Sequence, residues 1–317
     1  MLHYLKVLFL FLYISLFCHP SSADPWFTGP ILAPAGHSVP RGHTNFELYG
    51  IDAFTNAQFD NKGRAHRIPM FKSLIFNPLL THGFTDWLDV QLSVPYTFNS
   101  TRGIDYNRLT DTSLALGIQI LEQKHSKWIP DLRLLILEVF PTGKYNELNP
   151  ALYGTDATGL GSYRTLIGLN LQFLKEIYES HYLRTRLFLS SLISSSVYIS
   201  GISSFGGSVH TRGTVNPGIE DNIDLAFEYT LTQHWVAVME GYYSEGQATR
   251  FNGILDILND DEQPTVGAKQ YYEFGLAPAL EYNFNAHVGV IGGVWFPVQG
   301  KNTSRFMSYV LAINAYW

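Results

Sequence analysis

The stretch from Arg305 to Trp317, RFMSYVLAINAYW, alternates between two kinds of side chain. One set is apolar throughout and consists of Met307, Tyr309, Leu311, Ile313, Ala315 and Trp317. The intervening set contains Ser308 and Asn314 and is more polar near its middle. A period of two places the two sets on opposite faces of a β-strand. The stretch therefore predicts a strand that exposes one apolar face and ends on an aromatic ring.

Such a strand fits either the closing strand of a membrane β-barrel or the last strand of a secreted sandwich, and the composition favours the barrel. Charged residues make up 15% of the chain, against about 25% in ordinary soluble domains. The mean hydropathy is nevertheless close to zero. A barrel that faces lipid outside and water inside averages out in this way. The formal net charge of −6 leaves no basic footprint, which argues against a nucleic-acid partner.

The first 23 residues have the pattern of a secretory signal peptide. Lys6 supplies a positive charge, Val7–Phe17 is an apolar run, and Ser21–Ala23 offers small residues for cleavage. The run is shorter than the roughly 20 residues of a membrane span. Cys18 is the only cysteine, and Leu16–Phe17 before it do not fit a lipidation site. We expect an exported protein that contains no disulfide.

Residues 24–42 are rich in proline and glycine and show no periodicity. They predict an irregular lead-in segment that either hangs in the periplasm or folds back into a lumen as a partial plug. Residues 43–317 contain twelve candidate strands. These span residues 44–56, 68–80, 86–98, 111–122, 130–141, 163–175, 182–199, 222–232, 235–246, 271–283, 287–298 and 305–317.

The connections between the candidate strands differ in length by parity. Links after the even-numbered strands are short (THGFT, QKHSKW, EIYESH, TQH and NFNA). Links after strands 1, 3, 5, 7 and 9 are long and include Thr142–Ser162, Ser200–Asp221 and Gln247–Gln270, whereas the last hairpin, Gln299–Ser304, is brief. Outer-membrane barrels combine short periplasmic turns, long external loops and an even strand number. The sequence therefore predicts an all-β fold, a transmembrane antiparallel up-and-down β-barrel of twelve strands.

Several short motifs resemble the outer-membrane family named for the meta-pathway of phenol degradation. They are Gly83–Asp89 (GFTDWLD), Ser93–Tyr96 (SVPY), Asp111–Gly117 (DTSLALG) and Pro141–Gly143 (PTG). The resemblance is best between Gly83 and Leu169, and it departs at Leu109–Thr110, where family members often have glycine before the aspartate. It implies a barrel that moves small, aromatic solutes, and it brings no catalytic residues.

Charged side chains within the strands are expected to face the lumen, because Arg or Lys facing lipid near the midplane costs about 2–4 kcal/mol. The predicted lumen-lining residues are Asp89, Asp111, Arg184, Arg186, Asp224, Glu228, Glu273 and Glu281. These residues either line an open pore or pair with one another and close the interior, and the sequence leaves both alternatives open. Small residues at inward positions, such as Gly117, Gly168 and Gly275, favour open volume.

The search for other chemistry gives little. No G-x-S-x-G elbow is present, and Gly154–Gly161 lacks the lysine of a phosphate-binding loop. The acidic patch of Asp256, Asp260, Asp261 and Glu262 has no EF-hand spacing. We expect no enzyme activity, cofactor or metal site. Histidines at the short turns (His82, His125, His181, His234 and His287) suggest amphipathic interface residues or a pH-responsive mouth.

The function predicted from the sequence is passive passage of small, aromatic or amphipathic solutes through the outer membrane. The alternatives are a non-conducting structural or surface-interaction barrel and, third, an outer-membrane enzyme. The expected partners are outer-membrane lipid and lipopolysaccharide, the solute and the barrel-assembly machinery. The assembly machinery is expected to recognise the last strand through Tyr309, Leu311, Ile313 and Trp317.

Overall fold

The structure is a computed structural model that describes residues 25–123, 129–255 and 264–317. The predicted signal peptide lies outside the described residues, and so do His125 and the acidic patch between residues 256 and 262. No helix within the described ranges is long and apolar enough to cross a membrane.

Seventeen strands and one short 3-10 helix at Pro150–Leu152 make up the regular structure of the described ranges. The strands are β1 (Thr44–Phe59), β2 (Ala65–Thr85), β3 (Leu88–Ser93), β4 (Tyr96–Thr101), β5 (Ile104–Leu109), β6 (Thr112–Leu121), β7 (Asp131–Phe140), β8 (Arg164–Tyr178), β9 (His181–Ser194), β10 (Val197–Ser200), β11 (Arg212–Asn216), β12 (Glu220–Thr230), β13 (Trp235–Gly246), β14 (Arg250–Ile254), β15 (Tyr271–Asn283), β16 (Val288–Lys301) and β17 (Ser304–Tyr316).

The wall is a closed antiparallel sheet of twelve strands, which confirms the predicted fold. β3 and β4 together form one wall strand, and β5 and β6 together form the next. The order around the wall is β1, β2, β3–β4, β5–β6, β7, β8, β9, β12, β13, β15, β16 and β17. The sheet closes because β17 pairs with β1 from Asn45 opposite Tyr316 to Gln58 opposite Ser304. Thr44 and Trp317 complete this ladder through backbone hydrogen bonds of 2.7 and 3.0 Å.

The predicted alternation of connections is present. Short turns at residues 86–87, 179–180, 231–234 and 284–287 define one end of the barrel, which we call the turn end. Long connections at 141–163, 195–219 and 247–270 lie at the opposite end, the loop end. The first two loop-end links are shorter than expected: β1 extends to Phe59 and β2 begins at Ala65, and β4 and β5 are separated only by residues 102–103.

Side chains on each wall strand alternate between the two faces of the barrel. On β12, Ile223, Leu225, Phe227 and Tyr229 are exposed on the outside, whereas Asp224, Ala226 and Glu228 are buried inside. On β17, Tyr309, Leu311 and Ile313 point outward, and Val310 and Ala312 point inward. The outer surface is therefore an apolar belt, as expected of a barrel surrounded by lipid.

Prolines interrupt the wall ladders at two places. Pairing of β2 with β3 stops at residues 77–78 and 94–95 and resumes with β4, because neither Pro78 nor Pro95 has an N–H to donate. Pro95 thus lies within the wall, between β3 and β4. Pairing of β15 with β16 lapses around Pro278 for the same reason.

The long loops at the loop end form a layer of their own. β10, β11 and β14 make a three-stranded sheet whose buried side chains are Val197, Ile199 and Val215. The strand predicted at 182–199 therefore ends at Ser194, and its last residues join this second sheet.

Candidate channel lumen

Residues 25–42 lie inside the barrel, and we call them the luminal segment. The segment starts at the turn end, where the carbonyl of Trp26 accepts a hydrogen bond from Asn283 (3.2 Å). It returns to the turn end at Gly42, whose N–H donates to Gly83 O (2.8 Å), and β1 follows. Of the two predicted positions for this segment, the structure shows the luminal one.

Carboxylates on β13 and β15 accept the N–H groups of the first half of the luminal segment. Glu281 accepts from Thr28 N (2.8 Å) and Gly29 N (3.1 Å). Glu240 accepts from Ile31 N (2.5 Å), Leu32 N (3.0 Å) and Ala33 N (2.9 Å). Each of the two carboxyl groups accepts through both of its oxygens. These two side chains hold the segment by its backbone.

The second half of the luminal segment contacts the opposite wall, where its carbonyls receive most of the bonds. Arg133 donates to Ala35 O (3.0 Å). Arg186 donates to Ala33 O (3.2 Å), and Asn170 donates to Pro34 O (2.5 Å). Two N–H groups also find acceptors: Ser38 N donates to Gln119 (2.7 Å) and Val39 N donates to Asp89 (2.9 Å). The segment thus spans the lumen from an acidic wall to a more basic one.

Two side chains of the luminal segment add apolar and cation–π contacts. Ile31 is buried against Val236, Val238, Ile291, Val310 and Ala312 of the barrel wall. The ring of Phe27 lies 4.1 Å from the guanidinium carbon of Arg184. A cation over an aromatic face is attracted by the ring quadrupole. Ile31 and Phe27 therefore anchor the middle and the start of the segment.

Glycines in the wall make room for the luminal segment. A Cβ on Gly289 would lie 2.0 Å from Thr28 Oγ1, and a Cβ on Gly83 would lie 2.1 Å from Pro40 O. Real Cβ atoms do not approach other atoms this closely, so a larger residue at either position would displace the segment or the wall. The fit of the segment thus depends on these two glycines.

Ion pairs connect the remaining charged groups of the interior. Arg133 pairs with Asp89 at 2.5 Å. Arg184 forms a two-pronged pair with Glu228, and Arg186 Nε lies 3.4 Å from the same carboxylate. Glu228 is completely buried. A buried pair of this kind gives little net stability, but removal of one partner leaves the other charge buried without a counter-charge.

A cavity of about 350 Å³ remains between the luminal segment and the wall. Its polar lining includes Asn45, Glu47, Asn77, Asp89 and Arg133. Its apolar lining on the wall includes Ile51, Leu79, Leu135, Leu137, Leu166 and Phe188. The lumen is therefore neither open nor filled. It keeps a chamber with one apolar and one polar side.

The small inward residues do not account for this chamber. A Cβ on Gly168 would lie 2.4 Å from the Phe188 ring, and one on Gly275 would lie 2.4 Å from the Tyr242 ring. A Cβ on Gly117 would overlap the guanidinium of Arg133. The expectation that these positions leave open volume was wrong, because large side chains on neighbouring strands fill them.

The histidines that the structure describes at the turn end make ordinary turn contacts. The Nδ1 atoms of His181 and His234 lie 2.7 and 2.6 Å from the carbonyl oxygens of Thr230 and Asn283, so both nitrogens carry hydrogen. The His181 ring also stacks on Tyr229. These contacts suit interface residues, and a pH-responsive mouth stays a prediction.

Comparison with known proteins addresses the fold. No protein-family model matches the chain, so the resemblance to the phenol-degradation family stays a prediction, and no curated protein matches either. A crystal structure of an outer-membrane channel from Pseudomonas putida F1 superposes with a TM-score of 0.67 at 15% identity, covering 90% of this chain and 100% of that chain. This chain shares that channel's fold.

Two further solved structures superpose less well, with lower TM-scores. The NanC porin gives a TM-score of 0.44 at 11% identity, covering 85% of this chain and 98% of that chain. The Pseudomonas putida toluene transporter TodX gives 0.38 at 11% identity, covering 87% of this chain and 90% of that chain.

The structure places the eight predicted lumen residues in different surroundings. Five contact the luminal segment or the ion pairs beside it: Asp89, Arg184, Arg186, Glu228 and Glu281. Asp224 is buried on the same wall, and its Oδ1 has no hydrogen-bond partner among the described residues. Glu273 lies nearer the loop end and accepts from Tyr242 (2.5 Å).

Asp111 has a different position, beneath the loop-end layer. Its carboxylate accepts from Gly143 N (3.0 Å), Leu160 N (3.0 Å) and Arg164 (3.1 Å). It does not line the cavity beside the luminal segment. Its contacts show a side chain that ties the 141–163 loop to the barrel rim.

The sequence analysis missed several side chains that hold the luminal segment, among them Glu240, Arg133, Gln119, Asn170 and Asn283. Glu240 and Arg133 lie on β13 and β7, where apolar residues occupy both faces. The inward apolar residues there, Val238 and Leu135 among them, pack against the segment or line the cavity. Loss of alternation in a wall strand was the available signal for an internal partner.

Proposed function

We propose that the protein is an outer-membrane channel for passive passage of small solutes, and that the luminal segment narrows its lumen. The observation that carries this proposal is the 350 Å³ cavity between the luminal segment and the wall of a closed barrel. Twelve strands enclose more space than the eight whose interior is filled by side chains alone. The fold shared with the Pseudomonas putida channel supports the proposal.

The way in which the luminal segment is held favours a channel over a solid barrel. Its contacts with Glu240, Glu281, Asp89 and Arg133 are hydrogen bonds from or to backbone atoms. Hydrogen bonds to charged groups contribute about 1.5–3 kcal/mol each, and water can replace each of them. A segment bound in this way can leave the lumen without unfolding the wall.

The proposed location follows from the outer surface and the predicted signal peptide. The apolar belt would contact outer-membrane lipid, with the loop-end layer on the lipopolysaccharide side. Tyr309, Leu311, Ile313 and Trp317 are the residues of the closing strand that the assembly machinery would recognise. Membership of the phenol-degradation family, and aromatic solutes, are part of this proposal.

Solute flux into proteoliposomes is the experiment that tests the channel. Refolded protein should accelerate swelling in isosmotic glycine or arabinose, and heat-denatured protein should not. A second candidate, a non-conducting structural barrel, draws on the ion pairs that close the interior around Glu228. The second candidate would hold if liposomes swell no faster than empty ones, both with the full protein and with a variant lacking residues 25–41.

A further inference from the structure

The cavity beside the luminal segment has an apolar wall that is unusual for a water-filled lumen. Leu135, Leu137, Leu166 and Phe188 come from neighbouring inward positions of β7, β8 and β9, and all line the cavity. They form one contiguous cluster together with Ala115. Porin interiors are polar. A patch of this kind in the lumen suits the apolar body of a solute.

The charges around the cavity leave one carboxylate without an ionic partner. Arg133 is paired with Asp89, and Arg186 lies against Glu228 and the carbonyls of Ala33 and Pro34. Glu47, on the inner face of β1, lines the same cavity. Within the described ranges its side-chain interactions are a long hydrogen bond from Asn314 Nδ2 (3.4 Å) and a contact with the Tyr49 side chain. No described Lys or Arg forms an ion pair with it.

We infer that this cavity is a binding site for a small organic ammonium ion with an apolar body, with Glu47 as its counter-charge. The inference rests on the proposed channel function and names a solute class for it. A cavity of 350 Å³ lies at the lower end of small-molecule sites. It therefore fits a molecule with one ring or a short chain. Both arginines that line the cavity already pair with carboxylates, Arg133 with Asp89 and Arg186 with Glu228, so neither is free to hold an anionic head.

Calorimetry on the refolded full chain in nanodiscs tests the inference with three probes that share one body. These are 2-phenylethylammonium, 2-phenylethanol and phenylacetate. We expect the ammonium probe to bind at least tenfold more tightly than the alcohol, and phenylacetate to show no binding. Equal affinities for the ammonium ion and phenylacetate would overturn the inference.

Variants separate the two halves of the site. Glu47→Gln should weaken binding of the ammonium probe about tenfold and leave the alcohol unchanged. Leu137→Thr should weaken both probes alike. Glu245→Gln is the matched control, because Glu245 is an exposed acid on β13 that interacts with Tyr243 rather than with the cavity. Heat-modifiable gel mobility checks that each variant is folded.

The inference and the proposed function fail in different ways. Wild-type affinity for the ammonium probe in folded Glu47→Gln refutes the inference, whatever the flux. Tight, Glu47-dependent binding by a protein that does not accelerate liposome swelling refutes the channel and leaves the binding site in place.

Discussion

Replacement of Glu240 by alanine should release the luminal segment. Glu240 accepts the N–H groups of Ile31, Leu32 and Ala33. Water can take over each donor, so we use the lower end of the range for charged hydrogen bonds, about 1.5 kcal/mol each. The summed loss is roughly 4.5 kcal/mol, which changes the ratio of inserted to released segment about two-thousandfold.

The barrel itself should tolerate this change. Glu240 is completely buried and forms no ion pair with another described residue, so its removal leaves no buried charge without a partner. Single-channel recording in a planar bilayer is the assay. Glu240→Ala should spend far more time in a high-conductance state than the wild type. Glu240→Gln, which keeps an acceptor oxygen without the charge, should lie between them.

The control for Glu240 is Glu245→Ala, on the same strand but exposed near the loop end. It should conduct like the wild type. Wild-type conductance in a folded Glu240→Ala variant would refute the reasoning, because the remaining contacts of the luminal segment would then hold it without the carboxylate.

Four further predictions concern the fit of the luminal segment, the interior ion pairs, closure of the barrel and the loop end. Gly289→Ala should raise conductance because its Cβ displaces Thr28, whereas Gly292→Ala, whose Cβ meets nothing closer than 3.8 Å, should not. Deletion of residues 25–41 should abolish the difference in conductance between these two variants. Glu228→Gln should destabilise the barrel by about 3–5 kcal/mol in urea titrations, because Arg184 and Arg186 lose their counter-charge. Asp224→Asn, which removes no ion pair of the described residues, should fold normally. Trp317→Asp should prevent stable assembly, because it places a charge on an exposed apolar end beside the closing ladder. Loss of heat-modifiable gel mobility would show this, and normal folding would contradict it. A hydrogen bond from His66 and the N–H groups of Arg64 and Lys62 hold the pKa of Asp60 below its usual range. The 60–64 turn should therefore stay ordered above that lowered pKa and lose its order only as the pH falls through it. Hydrogen exchange at Arg64 measures this order, and exchange that follows an ordinary aspartate pKa would contradict the prediction.

The wall of the barrel was predictable from sequence because its physical cause is local. Lipid outside and polar contacts inside impose a period of two on strands such as β12 and β17. The three long connections, 141–163, 195–219 and 247–270, emerge at the same end because the wall strands alternate in direction. Strand ends were less predictable. Pairing continued beyond the expected boundary in β1 and stopped early in β9.

The interior was not predictable, because it depends on which wall residues meet the luminal segment. Residues 25–42 have no periodic pattern, and the wall recognises their backbone rather than their side chains. Glu240 was hidden for that reason, between the apolar residues Val238 and Tyr242. Gly83 and Gly289 matter through the atoms that pass beside them, and one chain read alone does not show this.

The conductance of the refolded protein, compared with that of a variant lacking residues 25–41, tests the central claim most directly. Both proteins should insert into a planar bilayer as folded barrels with the same heat-modifiable mobility. We expect a small, fluctuating conductance from the full protein and a several-fold larger, steady conductance from the variant. Equal conductance would contradict the role of the luminal segment, and the absence of conductance from both would contradict the channel.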